Sequence, residues 1–264
     1  VIDGADELEV TLNDNRKFPA KIIGADPTTD IALIKIEATD LPTIPFGDSE
    51  KLKVGEWVLA VGNPFNLTST VTAGIVSAKS RGNIGAGGKD RSKIDFAGYS
   101  FAVPISIAGK VANDLKQFGT VQRAVLGVLI QDPQYVPDAE KEKVKVFEGA
   151  YVGGFAERSS AKEAGIEKGD VIVAVNGVKI KSSSALQEQI SKYRPGDKVE
   201  LTINRNGSTK KFTVELRNAQ GSTKVVKGGD SAEVMGAAFK ALNDEQKRKL
   251  GVSYGIEVTG LTSG

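Results

Sequence analysis

The chain has 264 residues, 40% apolar and 26% charged, which places it among globular proteins with room for two domains of ordinary size. Its 35 basic and 33 acidic residues leave a net charge of +2 and are interspersed along the sequence, so no stripe of positive charge points to a nucleic-acid partner. Cysteine and histidine are both absent, which removes the usual ligands of zinc, haem and iron–sulfur clusters; no metal or other cofactor is expected.

The first stretch reads as short strands in succession. Leu8 to Leu12 and Lys17 to Ile23 flank Asn13-Asp14-Asn15, whose residue types tolerate the left-handed backbone of a tight hairpin. Further strands are predicted at Ile31 to Ile36, Glu56 to Val61 and Thr70 to Ser77, and Ile107 to Phe118 carries apolar Ile107, Val111 and Leu115 at helical spacing. The longest apolar runs, such as Trp57 to Val61, are strand-sized and far short of the roughly 20 residues of a membrane-spanning helix, so no membrane span is expected. Glycines crowd the segment Ser80 to Gly88. A phosphate-binding loop would need glycine in place of Asn83 and serine or threonine in place of Asp90, so a long surface loop is the simpler reading.

After Gln117-Phe118-Gly119 a second unit begins. Its markers are Arg123 to Val128, Ala161 to Ile172, Val175-Asn176-Gly177, Arg194 to Val199 and Arg205-Asn206-Gly207. A helix over Ser184 to Tyr193 carries Leu186 and Ile190 four apart on one face, a spacing that usually marks core. Gln131 to Glu148 is long, polar and proline-marked, as expected of a lid-like insertion or loop. Residues Asn218 to Asp230 read as a polar, glycine-rich linker. Beyond them, Met235 to Phe239, Leu250 to Val252 and Gly255 to Val258 open another unit, in which the charges of Asp244 to Lys249 form a solvated helix face.

Two sets of motifs arrive in an order that resembles a known family. Asp26-Pro27-Thr28-Thr29-Asp30-Ile31-Ala32-Leu33-Ile34-Lys35, Gly62-Asn63-Pro64, Thr72 to Ser77 and Gly98-Tyr99-Ser100-Phe101-Ala102-Val103-Pro104 resemble the HtrA/Deg family of trypsin-like serine proteases, and the second unit resembles its PDZ domains. The resemblance implies a mostly β chain: a trypsin-like double β-barrel over 1–118, an α+β PDZ domain over 120–217, a linker over 218–230, and the start of a second PDZ domain over 231–264. It also implies an ATP-independent envelope or periplasmic endopeptidase that degrades misfolded proteins, forms trimer-based homo-oligomers and binds peptide C-termini. The lack of cysteine suits an oxidising compartment but is permitted elsewhere.

Asp30 takes the place of the triad aspartate, whose task is to fix the tautomer of a histidine and stabilise its cation; burial beside that histidine is expected. Taken alone, an aspartate before a strand is more often an Asx-turn residue. Tyr99, Ser100 and Phe101 fall near the specificity pocket by family position. In the PDZ unit, Val125, Leu126, Gly127 and Val128 would offer N–H groups to a terminal carboxylate, and Val128, Leu129 and Ile130 would pair with the peptide. Leu186 and Ile190 belong to the facing helix, where core and groove remain open alternatives. The glycine-rich loop, with Arg81, Lys89 and Arg91, would be regulatory.

Two family elements have no counterpart in the string. The Thr-x-x-His-Val-Ile segment that holds the family's histidine would end at Val1-Ile2, and no Gly-Asn-Ser-Gly-Gly precedes Gly98. Because Asp95 runs straight into Phe96, those two residues are expected to be separated in the natural chain. A catalytically inactive family member or fragment, serving as a chaperone or peptide-binding adaptor, is the alternative.

Overall fold

The computed structural model describes residues 2, 4–63, 70–79, 102–141 and 144–227, together with 232–234, 237–242, 244–250 and 256–261. In the first unit β1 (Glu9–Thr11), β2 (Lys17–Asp26) and β3 (Ile31–Ile36) form an antiparallel meander in that order. Asn15, at φ 65°, turns the first hairpin, as its residue type allows. β2 runs past the predicted end at Ile23 to Asp26, and its pairing with β3 shifts register between Ile22 and Gly24. There Gly24 lies beneath the helix α1 (Ile105–Phe118), where a Cβ would come within 2.9 Å of the Leu115 side chain.

The other described strands of this unit are β4 (Trp57–Gly62) and β5 (Thr70–Ile75), an antiparallel hairpin. Among the described residues these five strands make two open sheets. Trp57, Leu59, Val61, Val71 and Ile75 all stand exposed on the hairpin, Trp57 at 79%. Helix α1 packs on β2 and β3 through Val111 and Leu115 and ends at Gly119, whose positive φ permits the left-handed cap.

The second unit holds the principal core. Its sheet runs β11 (Ser208–Glu215), β10 (Lys198–Arg205), β8 (Val171–Val175), β7 (Ala150–Phe155), β6 (Val128–Gln131), with β9 (Val178–Lys179) paired to β8. Alternation buries Val199, Leu201 and Ile203 on one face of β10, where they meet Ile172, Val175, Leu186 and Ile190. Helix α4 (Ser183–Ser191) starts where the Ser182 hydroxyl accepts from the N–H of Ala185, and the short α3 (Ser160–Glu163) is capped in the same way by Ser159.

The insertion between β6 and β7 contains a single helical turn at Pro133–Tyr135 and the short α2 (Asp138–Lys141). It does not stand free as a lid: Val136, buried at its centre, joins Tyr151 and Val171 in a small second core. Residues 218–227 are likewise packed against the second unit. The Arg158 guanidinium donates to the Gln220 carbonyl, and the Gln122 side chain exchanges two hydrogen bonds with the backbone of Val226. The last described strands, β12 (Ala232–Val234), β13 (Ala237–Ala241) and β14 (Ile256–Leu261), form a separate antiparallel sheet, with helix α5 (Asp244–Leu250) between β13 and β14.

Candidate functional site

The turn joining β2 to β3 holds two aspartates with different surroundings. Asp26 is buried and accepts from Thr29 Oγ1 at 2.6 Å and from Arg123 at 2.5 Å. Burial alone would raise its pKa, but the hydrogen bonds from Thr29 and Arg123 and the guanidinium charge outweigh it and hold the carboxyl below the usual aspartate value. Asp30, expected to be buried, is exposed at the start of β3 with φ 59°. The four-residue turn puts Asp26 beneath and Asp30 at the rim. In the sequence Asp26 is one residue of a longer motif, and a partner 97 positions away leaves no local signal.

Arg123 begins the second unit, so its pair with Asp26 crosses from one unit to the other. Two more pairs do the same. Asp114 of α1, fully buried, accepts from Arg194 at 2.7 Å, from Lys110 at 2.9 Å and from the N–H of Gln122 at 3.0 Å. Burial pulls the Lys110 ammonium below its usual pKa, against the opposing pull of Asp114. Glu50 accepts from Lys192 at 2.7 Å, just beyond α4.

The loop before β6 and the helix α4, expected to flank a peptide groove, both contribute to the core of the second unit. The carbonyl of Leu126 accepts from the N–H of Ala161 and the hydroxyls of Ser159 and Ser160, and the Gly127 carbonyl accepts from Ala156 N–H. Val125, expected among the donors to a carboxylate, instead gives its N–H to the Arg217 carbonyl at 2.7 Å. Among the described residues the N–H groups of Leu126 and Gly127 donate to no acceptor, and the two residues lead into β6, the edge strand of its sheet. Gly127 is required here: its φ is 71°, and a Cβ would lie 2.7 Å from Ser159 Cα.

The structure brings Leu126, Val128, Ile130, Leu186 and Ile190 together in one cluster and turns Leu129 outward, 61% exposed. Leu186 and Ile190 are both buried in that cluster. Tyr99, Ser100, Phe101, the glycine-rich loop and the Asp95–Phe96 junction lie outside the described residues. Among the described residues there is no group of three or more metal-ligating side chains and no helix long and apolar enough to cross a membrane.

Residues 1–108 match the family of trypsin-like peptidase domains, and residues 124–216 match the PDZ domain family. A probable periplasmic serine endoprotease described as DegP-like, from Marinomonas sp. (strain MWYL1), is 39% identical over 258 residues, covering 86% of this chain and 55% of the relative. A protein of the same description from Pseudomonas fulva (strain 12-X) is 36% identical over 303 residues, covering 100% of this chain and 63% of its own length. The chain belongs to the HtrA/Deg family.

Among solved HtrA-type structures, AlgW with a tripeptide superposes with a TM-score of 0.57 at 28% identity, covering 81% of this chain and 82% of that one. AlgW with a decapeptide gives 0.55 at the same identity, with 81% and 76% covered. The chain spans less than two thirds of the two curated HtrA/Deg relatives above. The stretch matched in Pseudomonas fulva is also longer than the whole chain, 303 residues against 264.

Proposed function

We propose that this chain is the protease-and-PDZ portion of an ATP-independent serine endopeptidase of the periplasm, which degrades misfolded polypeptides and binds peptide C-termini through its second unit. The observation that carries the catalytic half is Asp30 at the rim of the β2–β3 turn, followed by the apolar strand Ile31–Ile36, inside the stretch that matches trypsin-like peptidases. An aspartate at that rim can receive a histidine Nδ1–H from a neighbouring segment, hold the ring in the tautomer that deprotonates a serine, and stabilise the imidazolium that results. The carboxylate-receptive loop of Leu126 and Gly127 carries the binding half.

The 264 residues hold no histidine, so the full triad requires residues outside this string. We infer that the natural chain carries a further segment between Asp95 and Phe96. The longer matched stretch of the Pseudomonas fulva relative supports this, as does the exposed apolar surface on β4 and β5, since an isolated two-stranded hairpin is marginally stable in water. The domain limits follow the same reading: a protease part over 1–118, a PDZ domain over 120–217, a linker over 218–230 and the start of a second PDZ domain from 231. Tyr99, Ser100 and Phe101 are assigned to the specificity pocket, and a trimer-based assembly is the expected quaternary form.

A catalytically inactive chaperone or adaptor is the second reading, favoured by the missing histidine and Gly-Asn-Ser-Gly-Gly motif. A fluorophosphonate probe separates the two, because it labels only an activated serine. Labelling of the natural full-length protein supports the protease. A folded, peptide-binding protein that stays unlabelled with peptide present establishes the adaptor.

A further inference from the structure

The sequence holds two asparagine–glycine pairs, Asn176-Gly177 and Asn206-Gly207. Each forms the two-residue loop of a tight hairpin: the first joins β8 to β9, where Val175 pairs with Val178, and the second joins β10 to β11, where Arg205 pairs with Ser208. All four residues have positive φ, at 46° and 79° in one loop and 51° and 90° in the other, the backbone of a type I′ turn. All four are also exposed. Dipeptide, turn type and access to water are thus shared, and the loops differ in what holds the asparagine.

The Asn176 carboxamide is tied at both ends. Its Oδ1 accepts from the N–H of Glu200 at 2.7 Å, and because an N–H only donates, the oxygen of the amide must face it. Its Nδ2 then donates to the Tyr193 hydroxyl at 2.8 Å. Asn206 has neither tie: among the described residues its side chain makes no hydrogen bond. What restrains this turn is a bond on the following peptide, where the N–H of Gly207 donates to Asn204 Oδ1 at 3.0 Å. Rotating that peptide breaks this bond but meets little steric resistance, since glycine adopts φ of either sign.

We propose that Asn206 is a site of spontaneous deamidation, a covalent modification that Asn176 resists in the folded chain. The Gly207 nitrogen gives its proton to solvent base and attacks Asn206 Cγ; the N–Cγ bond forms, the Cγ–Nδ2 bond breaks, and Nδ2 leaves as ammonia with a proton from water. One water then opens the five-membered imide. Cleavage at Cγ restores the main chain with aspartate at 206, and cleavage at the main-chain carbonyl leaves an isoaspartate whose chain runs through Cβ and Cγ. That extra main-chain carbon strains a two-residue loop and the pairing of Arg205 with Ser208, so the start of β11 loosens. Ring closure at Asn176 must instead pull the carboxamide off two partners, and each further hydrogen bond to be broken slows it roughly 2- to 10-fold.

The test incubates the full chain in mildly alkaline buffer and follows both sites by peptide mapping and mass spectrometry, with isoaspartate separated from aspartate by chromatography. In the folded chain Asn206 is expected to convert roughly 2- to 10-fold faster than Asn176, whereas in concentrated urea, where both turns are lost, the two rates should be comparable. Tyr193→Phe removes the acceptor for Asn176 Nδ2 and should raise conversion there roughly 2- to 10-fold; Asn204→Ala frees the Gly207 N–H and should do the same at Asn206. Each variant should move one site only, and unfolding would move both. In the isolated isoaspartyl form, the amides of Ser208 to Lys211 should exchange hydrogen faster than in the unmodified chain. Equal rates at the two sites in the folded chain, or no conversion at Asn206 while the urea sample converts fully, overturns the proposal. An Asn176 rate unmoved by Tyr193→Phe overturns the protection argued for that turn, and unchanged exchange in the isoaspartyl form overturns the loosening of β11.

Discussion

Gly127 shows how narrowly the groove constrains its own residues. A positive φ and a Cβ position 2.7 Å from a backbone atom of Ser159 mean that any side chain forces the loop apart. Gly127→Ala is therefore expected to lower the unfolding midpoint and weaken peptide binding together, measured by denaturant titration and calorimetry, and an unchanged midpoint would show that the loop adapts. Gly127→Glu would act on this loop through the same strain before its charge could bear on a ligand. Asp170 makes a different demand. Nearly inaccessible, it receives Arg205 through both oxygens at 2.7 and 2.8 Å and also the N–H of Glu167. Removing one member of a buried pair strands the other, so Asp170→Ala should cost about 3–5 kcal/mol in urea unfolding. A loss below about 1 kcal/mol would mean that Arg205 relaxes into solvent.

Among the elements, the β6–β7 insertion departs most from its sequence appearance. Its polar, proline-marked composition suggested a lid or loop, yet Val136 anchors it to Tyr151, while Glu140 accepts from the Tyr151 hydroxyl and from Lys168. Burial, then the hydrogen bond and charge of Glu140, push the Tyr151 pKa from 10.0 up to about 12. A phenol whose pKa rises on folding favours the neutral form, so its contribution is complete below pH 10 and is lost as pH rises from 10 toward 12. Between pH 9 and 11 the urea midpoint of wild type should thus fall further than that of Tyr151→Phe. Equal falls would mean that the hydroxyl does not couple the insertion to β7.

At the scale of the whole molecule, ion pairs from Asp26, Asp114 and Glu50 to Arg123, Arg194 and Lys192 tie the two units together, and the Gln122 amide fixes the strap that follows the second. These long-range partners were the part hidden from the sequence. Alternation, turn residues and the α1 spacing revealed strand and helix positions because those signals are local. The pairs lie 80 to 142 positions apart and leave no periodic trace. Asp30 could be singled out only because an extended motif surrounds it, and its place at the rim came from the structure.

Substitution of Asp30 tests the account most directly. Asparagine tolerates the left-handed backbone that Asp30 adopts, so Asp30→Asn in the natural full-length protein should leave circular dichroism and peptide binding unchanged. Turnover of an unfolded protein substrate should drop on the order of 10³- to 10⁴-fold, because the histidine loses the carboxylate that fixes its tautomer. Proteolysis by this variant at close to the wild-type rate would contradict the assignment of Asp30 to a catalytic triad.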